Sequence, residues 1–419
     1  METPQNGGKL GFQATWAMAV GGMVGGGIFS TLGVVIAIAG QWAWLSFLVA
    51  GLVALASGYS YSKLADHYGE GGGAFTFLRK IHQDGFAGSL SWVLILGYIL
   101  TNSVYAYTFG TYLAHVFDAG PWLPRTAALA ILALFVGLNL RGVGEASGAE
   151  TFLVWFKLIV LVGLAGFGLA QWDIGQLSAG VTDSGIPAAI FGAAAVFMAY
   201  EGFQLLSYDY EEIKNPKKTL PRALISAIVV VIVVYVIVAL GVAMLIGAGT
   251  VVANEEVALA IAGKAALGTT GLIIVTIAAA FSTGSAINST LFATARLAKT
   301  VADHEELPSA LAHLNHNDIP DRAIIGLGLF SGIFAVFGNL SSLVEAASLT
   351  FLFTFAVVNA LAWLKHAGHR WITGAGALFA SAATVALILR LAQQQPWSLA
   401  ALAAVILIAV FLRPYLLKR

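Results

Sequence analysis

Apolar runs separated by short polar punctuation recur along nearly the whole chain. Reading between the punctuation gives twelve segments, at 12–39, 41–65, 86–116, 122–140, 150–171, 186–212, 220–247, 269–300, 323–338, 341–364, 371–391 and 397–414. Most are about twenty residues or longer, enough for a helix to cross the roughly 30 Å hydrocarbon core of a bilayer. The ninth is short, and the eighth runs into polar sequence at its end. Strand-like alternation of apolar and polar residues is not seen. Lipid admits only helices or closed barrels, so every segment is expected to be helical. A weakly amphipathic stretch at 254–267 is expected on the surface, ahead of the eighth span.

Composition makes the membrane assignment firm. Of 419 residues 59% are hydrophobic and only 10% charged, against roughly 25% charged in an ordinary soluble domain. Basic and acidic residues balance at 21 each, so no nucleic-acid footprint is indicated. Cysteine is absent, which excludes disulfides, thiolate metal sites and cysteine nucleophiles. Residues 1–10 are polar and carry no cleavable signal pattern, so the first span is expected to remain in the mature protein.

The basic residues then predict orientation. With the N-terminus inside, seventeen of them fall in cytoplasmic segments and three (Arg125, Lys264 and Arg390) on the outer side, leaving Lys157 within a span. Both termini are therefore expected in the cytoplasm and the chain in the plasma (inner) membrane.

Two spans cannot be ordinary helices. The first contains Gly21-Gly22-Met23-Val24-Gly25-Gly26-Gly27-Ile28-Phe29, and each glycine costs roughly 1 kcal/mol relative to alanine in a helix. One reading is close helix packing, since Gly21/Gly25 and Gly22/Gly26 fit the small-xxx-small pattern. The other is local unwinding, because a helix shows only one of three successive residues to a given neighbour. The sixth span reads Phe197-Met198-Ala199-Tyr200-Glu201-Gly202-Phe203-Gln204, with a carboxylate and a glycine side by side near mid-bilayer. Intramembrane carboxylates face wet cavities or are protonated. Interrupted spans one and six, five spans apart, point to an inverted-repeat transporter with its site at the midplane. Unwinding exposes amides at the start of a second half-helix, which attract a carboxylate, and carbonyls at the end of a first half, which suit an ammonium. Together they would cradle an α-amino acid.

Lys157 lies about six residues, or 9–10 Å of helix, from the cytoplasmic end of span five. It reads either as a snorkelling lysine or as a group that loads and releases a proton, since burial disfavours its ammonium form while carbonyl and hydroxyl acceptors favour it. Glu201 reads equally as a substrate-sensing or titrating group and as a structural acceptor for main chain freed by the break. Tyr98, Asn102 and Tyr105 share one face of span three at helical spacing, as pocket lining or as interhelical hydrogen-bonding groups. Glu345 is expected at the interface. The pairs His313/His316 and His366/His369 lack supporting ligands and read as solvated loop residues, so no metal is expected. Segment 211–222 reads as a helix stop and turn, with Pro216 and Pro221 preventing continuation.

These residues resemble the amino acid–polyamine–organocation (APC) superfamily, of the prokaryotic proton-coupled amino acid permease type. The matching elements are the glycine run of span one, Phe197 to Gln204, the Glu211-Glu212-Ile213-Lys214-Asn215-Pro216 run after it, and Gly71-Gly72-Gly73-Ala74-Phe75 after span two, where the family's usual preceding proline is absent. The resemblance implies an all-α, polytopic protein of twelve transmembrane helices. These form a LeuT-like five-plus-five inverted repeat with discontinuous helices one and six: residues 1–171, residues 186–364, then two trailing helices over 371–419. It implies a substrate carboxylate on Gly25, Gly26 and Gly27. The amino group would meet carbonyls near Met23, Met198 and Glu201, with Ala199, Tyr200, Gly202, Phe203 and Asn102 around it. A hydroxyl residue common at the position of Gly26 is missing, and Met198 stands where some relatives have an aromatic gate, leaving Phe203 and Tyr200 as candidates. Lys157 would bridge Gly21 to Ser282 and Ser285 and couple proton movement to alternating access.

The function so implied is secondary active import of α-amino acids by proton symport. The alternative is exchange of amino acids or polyamines without net proton coupling, and polyamines would want more pocket carboxylates than Glu201. An enzyme is disfavoured by the absence of hydrolase, zinc and phosphate-loop motifs, and a channel by the lack of a repeated polar filter. No cofactor is expected. The partners are an amino acid, a proton and the lipid bilayer; oligomeric state and side-chain preference are not legible.

Overall fold

The computed structural model describes residues 9–117, 120–142 and 147–417. Twelve helical spans follow one another, and among the described residues the only β contact is an isolated bridge between Leu10 and Ile213. Span 1 is split into 1a (Phe12–Met23) and 1b (Gly27–Ala39); span 2 is Ala43–Tyr68, span 3 Asp84–Phe117, span 4 Leu123–Leu140 and span 5 Ser147–Gln171. Span 6 begins as Pro187–Ala195 (6a) and continues in short 3-10 turns, Phe197–Tyr200 and Phe203–Ser207. Spans 7, 9, 10, 11 and 12 are Pro216–Ile246, Asp321–Phe337, Leu340–Leu364, Arg370–Gln394 and Pro396–Leu416. Span 8 lies within Ala258–Asp303, where Leu267 and Gly268 leave helical geometry and divide a short leading helix from the span itself. The chain is a multi-pass membrane protein.

The two broken spans sit in the centre. Span 1a packs on spans 5, 7 and 8, span 1b on 6a and span 10, and spans 2, 3, 7, 8 and 10 wall them in. Spans 4, 9, 11 and 12 lie outside this ring, and their outward apolar side chains, such as Leu134, Phe330, Phe379 and Phe411, are exposed for lipid. Water cannot satisfy main chain here, so helices are closed on themselves except where protein surrounds the break. Spans 5 and 7 approach to main-chain contact at Gly168 and Gly241, the close approach that small residues permit without a hydrophobic drive between helices.

Two expectations are corrected. The 254–267 stretch lies at the surface by one side only: Lys264, Ala265 and Leu267 are exposed, but Val257 to Ala260, Ala262 and Gly263 are buried, and the Glu255 main chain sits directly against Gly33 of span 1b. Its polar residues mislead because Glu255 and Glu256 find partners in Ser341 and Tyr107. Pro216 and Pro221 do not both prevent a helix. Pro216 begins span 7, where its missing N–H is no loss, and Pro221 sits inside that span. The acceptor Pro221 leaves empty is the carbonyl of the exposed Lys217, where water can replace the lost bond.

Candidate functional site

Span 1 breaks over Val24 to Gly26. The Val24 amide still reaches Val20 (2.8 Å), and the Gly25 amide turns in tightly to Gly22 (3.3 Å). Span 1b then starts with no side-chain cap. The amides of its first turn have no intrahelical acceptor and present the positive end of the helix to the centre of the bundle. The glycines serve space as well as winding. A Cβ on Gly25 would stand 2.4 Å from the Cβ of Ala286 in span 8. On Gly26 it would stand 2.1 Å from the Tyr105 ring of span 3, and on Gly27 it would stand 2.6 Å from both the Ala199 carbonyl and the Tyr235 hydroxyl. The break turns three successive residues toward three different neighbours, so packing and unwinding are one feature rather than alternatives.

Span 6 is undone over a longer stretch. Glu201 is extended (φ −64°, ψ 150°) and Gly202 has φ +119°. Beyond them comes a 3-10 turn rather than an α-helix, so the half-helix dipole of the sequence argument applies to span 1b alone. Gly202 lies main chain to main chain against Gly22. Ser348 of span 10 finishes 6a by accepting from the Met198 amide (3.0 Å) and donating to the Ala195 carbonyl (2.7 Å). The Met198 carbonyl accepts from the Glu201 amide (2.9 Å). Tyr235 of span 7 ties both breaks together, its hydroxyl lying 2.7 Å from the Met23 carbonyl and 3.0 Å from that of Ala199. It therefore fixes one carbonyl from each break relative to the other.

Glu201 is fully buried. Its carboxylate accepts from Gln204 Nε2 (3.0 Å) and from the Tyr105 hydroxyl (3.3 Å). Gln204 also donates to the Tyr98 hydroxyl (3.1 Å) and accepts from the Gly202 amide (3.0 Å). Tyr98 and Tyr105 thus both reach the span-6 break, and Asn102 lies between them. Tyr200 and Phe203 turn away. The Tyr200 hydroxyl donates to the Phe47 carbonyl in span 2 (2.8 Å), and Phe203 packs against Tyr61 and Phe355.

Lys157 is buried and donates through Nζ to the Gly21 carbonyl (3.1 Å) in the last turn of span 1a. Its Nζ points into the bundle rather than snorkelling. Ser282 donates to the Val24 carbonyl, and Ser285 lies half-buried further along the same helix. Span 1a is thereby held from span 5 and from span 8. Glu150, two helical turns before Lys157, faces Gly21.

A cavity of about 410 Å³ runs from Leu10, Arg296 and Thr300 to Gly22 and Gly202. It opens on the face that carries the N-terminal segment. Arg296 stands at its mouth with Asp209 (3.4 Å) and Glu212 (3.8 Å). The Gly71–Gly73 loop docks there too: Gly71 N–H donates to Glu211 (3.1 Å) and Gly72 N–H to the Ser207 carbonyl (3.0 Å). The opposite face is shut by the 254–257 loop, with Tyr107 donating to Glu256 and Ser341 to Glu255 (2.6 Å). Sequence reasoning passed over Tyr235, Ser348 and Gln204. Single hydroxyls or amides in apolar runs look like ordinary interhelical glue.

Two broken helices sharing one centre, reached from one face and shut from the other, is the geometry of a carrier. The sequence profile of the amino acid permease family matches residues 10–413. The chain belongs to this family. It is a transporter of amino acids and not an enzyme. It is 31% identical over 361 residues to an uncharacterized protein of Methanocaldococcus jannaschii (85% of this chain, 82% of that one). It is 30% identical over 380 residues to the inner membrane transport protein YbaT of Escherichia coli (88% and 87%). It is 26% identical over 325 residues to the serine/threonine exchanger SteT of Bacillus subtilis (75% and 74%). The crystal structure of MhsT in complex with L-phenylalanine shares the fold, with a TM-score of 0.60 at 14% identity, over 96% of this chain and 97% of that one. The permease is thus a member of the APC superfamily with a LeuT-type fold.

Proposed function

We propose that this permease imports α-amino acids by proton symport across the plasma membrane, with both termini in the cytoplasm. The observation that carries the coupling is the buried Lys157 Nζ at 3.1 Å from the Gly21 carbonyl. The substrate carboxylate lies at the amides of Gly25, Gly26 and Gly27, and the substrate amino group at carbonyls near Met23, Met198 and Glu201. Ala199, Gly202 and Asn102 complete the surroundings, while Tyr200 and Phe203, whose side chains turn away, contribute main chain only. The basic residues, seventeen against three, support the orientation, and the 410 Å³ cavity then opens to the cytoplasm.

Protonated Lys157, with Ser282 and Ser285, holds the end of span 1a against spans 5 and 8. Loss of that proton to the cytoplasm loosens span 1a and widens the cavity already open on that face. One charge moving through the field is worth about 2.3 kcal/mol per 100 mV, enough to drive accumulation. In liposomes with an imposed proton gradient, the wild type is expected to accumulate amino acid, while Lys157→Ala keeps counterflow and loses accumulation. Full proton-driven accumulation by Lys157→Ala would overturn the coupling role. The exchange reading draws on the Bacillus subtilis relative, named as an exchanger. Obligatory counter-substrate with no response of the wild type to the gradient would select it.

A further inference from the structure

Asn102 has no exposed surface, and among the described residues neither its Nδ2 nor its Oδ1 has a hydrogen-bond partner. A buried polar group left bare costs about 1–3 kcal/mol, and this carboxamide has two bare ends in the middle of a closely packed span. Its position says what it faces. At 100° per residue, Tyr98, Asn102 and Tyr105 fall within about 60° of one another on span 3. The tyrosines on either side of it both reach the broken segments. Tyr98 accepts from Gln204 (3.1 Å), Tyr105 donates to Glu201 (3.3 Å), and the Tyr105 ring covers Gly26. Along the helix axis Asn102 lies between them, turned about 40° from Tyr98 and about 60° from Tyr105, so it is carried on the side of span 3 that meets the region where spans 1 and 6 come apart.

We infer that Asn102 reads the side chain of the substrate, and that the site selects amino acids bearing a hydroxyl or a carboxamide. This rests on the breaks holding the amino and carboxylate groups, as proposed above. A carboxamide donates through Nδ2 and accepts through Oδ1. A hydroxyl or amide on the ligand does both and satisfies both ends. A side-chain ammonium only donates, which leaves Nδ2 bare, and an alkyl group leaves both bare. Glu201, already accepting from Gln204 and Tyr105, orders the neighbouring wall. A site built to hydrogen-bond a substrate group rejects the analogue lacking it far more strongly than an apolar pocket discriminates a methylene.

Threonine and valine test this directly, because they exchange a hydroxyl for a methyl at nearly constant shape. With purified protein in liposomes, competition against counterflow is expected to show threonine binding about tenfold or more tighter than valine, and glutamine tighter than methionine. Asn102→Leu, close in volume, is expected to bring the threonine-to-valine ratio to within about threefold. Equal affinities in the wild type would overturn the inference without any variant, and are the result expected if Asn102 merely holds a buried water. Preference for lysine over threonine would overturn it, as would a wild-type ratio that survives Asn102→Leu. Failure of all the amino acids, alanine and valine included, would bring down the amino acid site itself, and is distinguishable because no member of any pair would then compete.

Discussion

The contact on which the two breaks depend is the meeting of Gly22 with Gly202, and Gly202→Ala tests it. A Cβ at Gly202 would stand 2.5 Å from the Gly22 carbonyl carbon and 2.9 Å from the Met23 nitrogen, both main-chain atoms that cannot rotate aside. The same residue has φ +119°, a conformation that costs an L-residue about 1–3 kcal/mol. Overpacking adds about 1–3 kcal/mol, so the change should cost about 2–6 kcal/mol. That is a large fraction of the roughly 5–15 kcal/mol by which folded proteins are stable. Gly22→Ala is the control. Its Cβ would lie 3.1 Å from the Gly202 Cα, a few tenths of an ångström too close, and alanine's helix propensity returns up to about 1 kcal/mol. Thermal denaturation in detergent, followed by size-exclusion profile, should place Gly22→Ala near the wild type and Gly202→Ala many degrees below it. Counterflow in liposomes should fall in the same order. A Gly202→Ala protein as stable and as active as the wild type would refute the main-chain contact, and so would Gly22→Ala proving the more damaging of the two.

The remaining predictions concern the side chains that support this contact. Gly25→Ala should destabilise the protein by about 1–3 kcal/mol through the 2.4 Å approach to the Ala286 Cβ. Gly25→Ala/Ala286→Gly should recover part of the lost thermal stability, the Gly22 carbonyl still lying 2.9 Å from the new Cβ, a non-additivity that distant sites would not show. Tyr235→Phe removes the hydroxyl 2.7 Å from Met23 O and 3.0 Å from Ala199 O. It should cost about 1–3 kcal/mol, read as a raised KM for counterflow with the fold retained, and an unchanged KM would contradict the bridge. Tyr107→Phe releases Glu256 on the closed face. Because the chain has no native cysteine, Ser289→Cys in the cavity wall gives an unambiguous reporter. Its labelling by an impermeant maleimide should fall several-fold when Tyr107→Phe is added, as the population shifts away from the state open on that side.

Much of the architecture was legible because a bilayer leaves the chain few options. Apolar runs located the spans to within a few residues, and the glycine run of span 1 and the adjoining carboxylate and glycine of span 6 are where the helices come undone. The misses have a common origin. Residues 254–267 carry Asn254, Glu255 and Glu256 and look solvated, yet Tyr107 and Ser341 supply partners from spans 3 and 10. Pro221 looks like a breaker, yet its lost acceptor sits at an exposed residue. In each case a local property was read correctly, but the surroundings in the fold decided its cost.

The same division runs through the site. A binding surface made of main chain announces itself by what is missing, since only glycine lets Ala286, Tyr105 and the Ala199 carbonyl approach three successive residues of span 1. Sequence therefore shows where the bare atoms are. It does not show what holds them in place, because Tyr235, Ser348 and Gln204 are common residues whose roles arise only from the carbonyls and amides they meet across the bundle. Asn102 separates the two kinds of information. Its place on a polar face of span 3 follows from spacing alone, but only the packed structure shows that both ends of its amide lack a partner among the described residues. An unmet hydrogen-bonding demand within a packed span is a property of the fold, and it is what carries the inference about the chemistry of the solute.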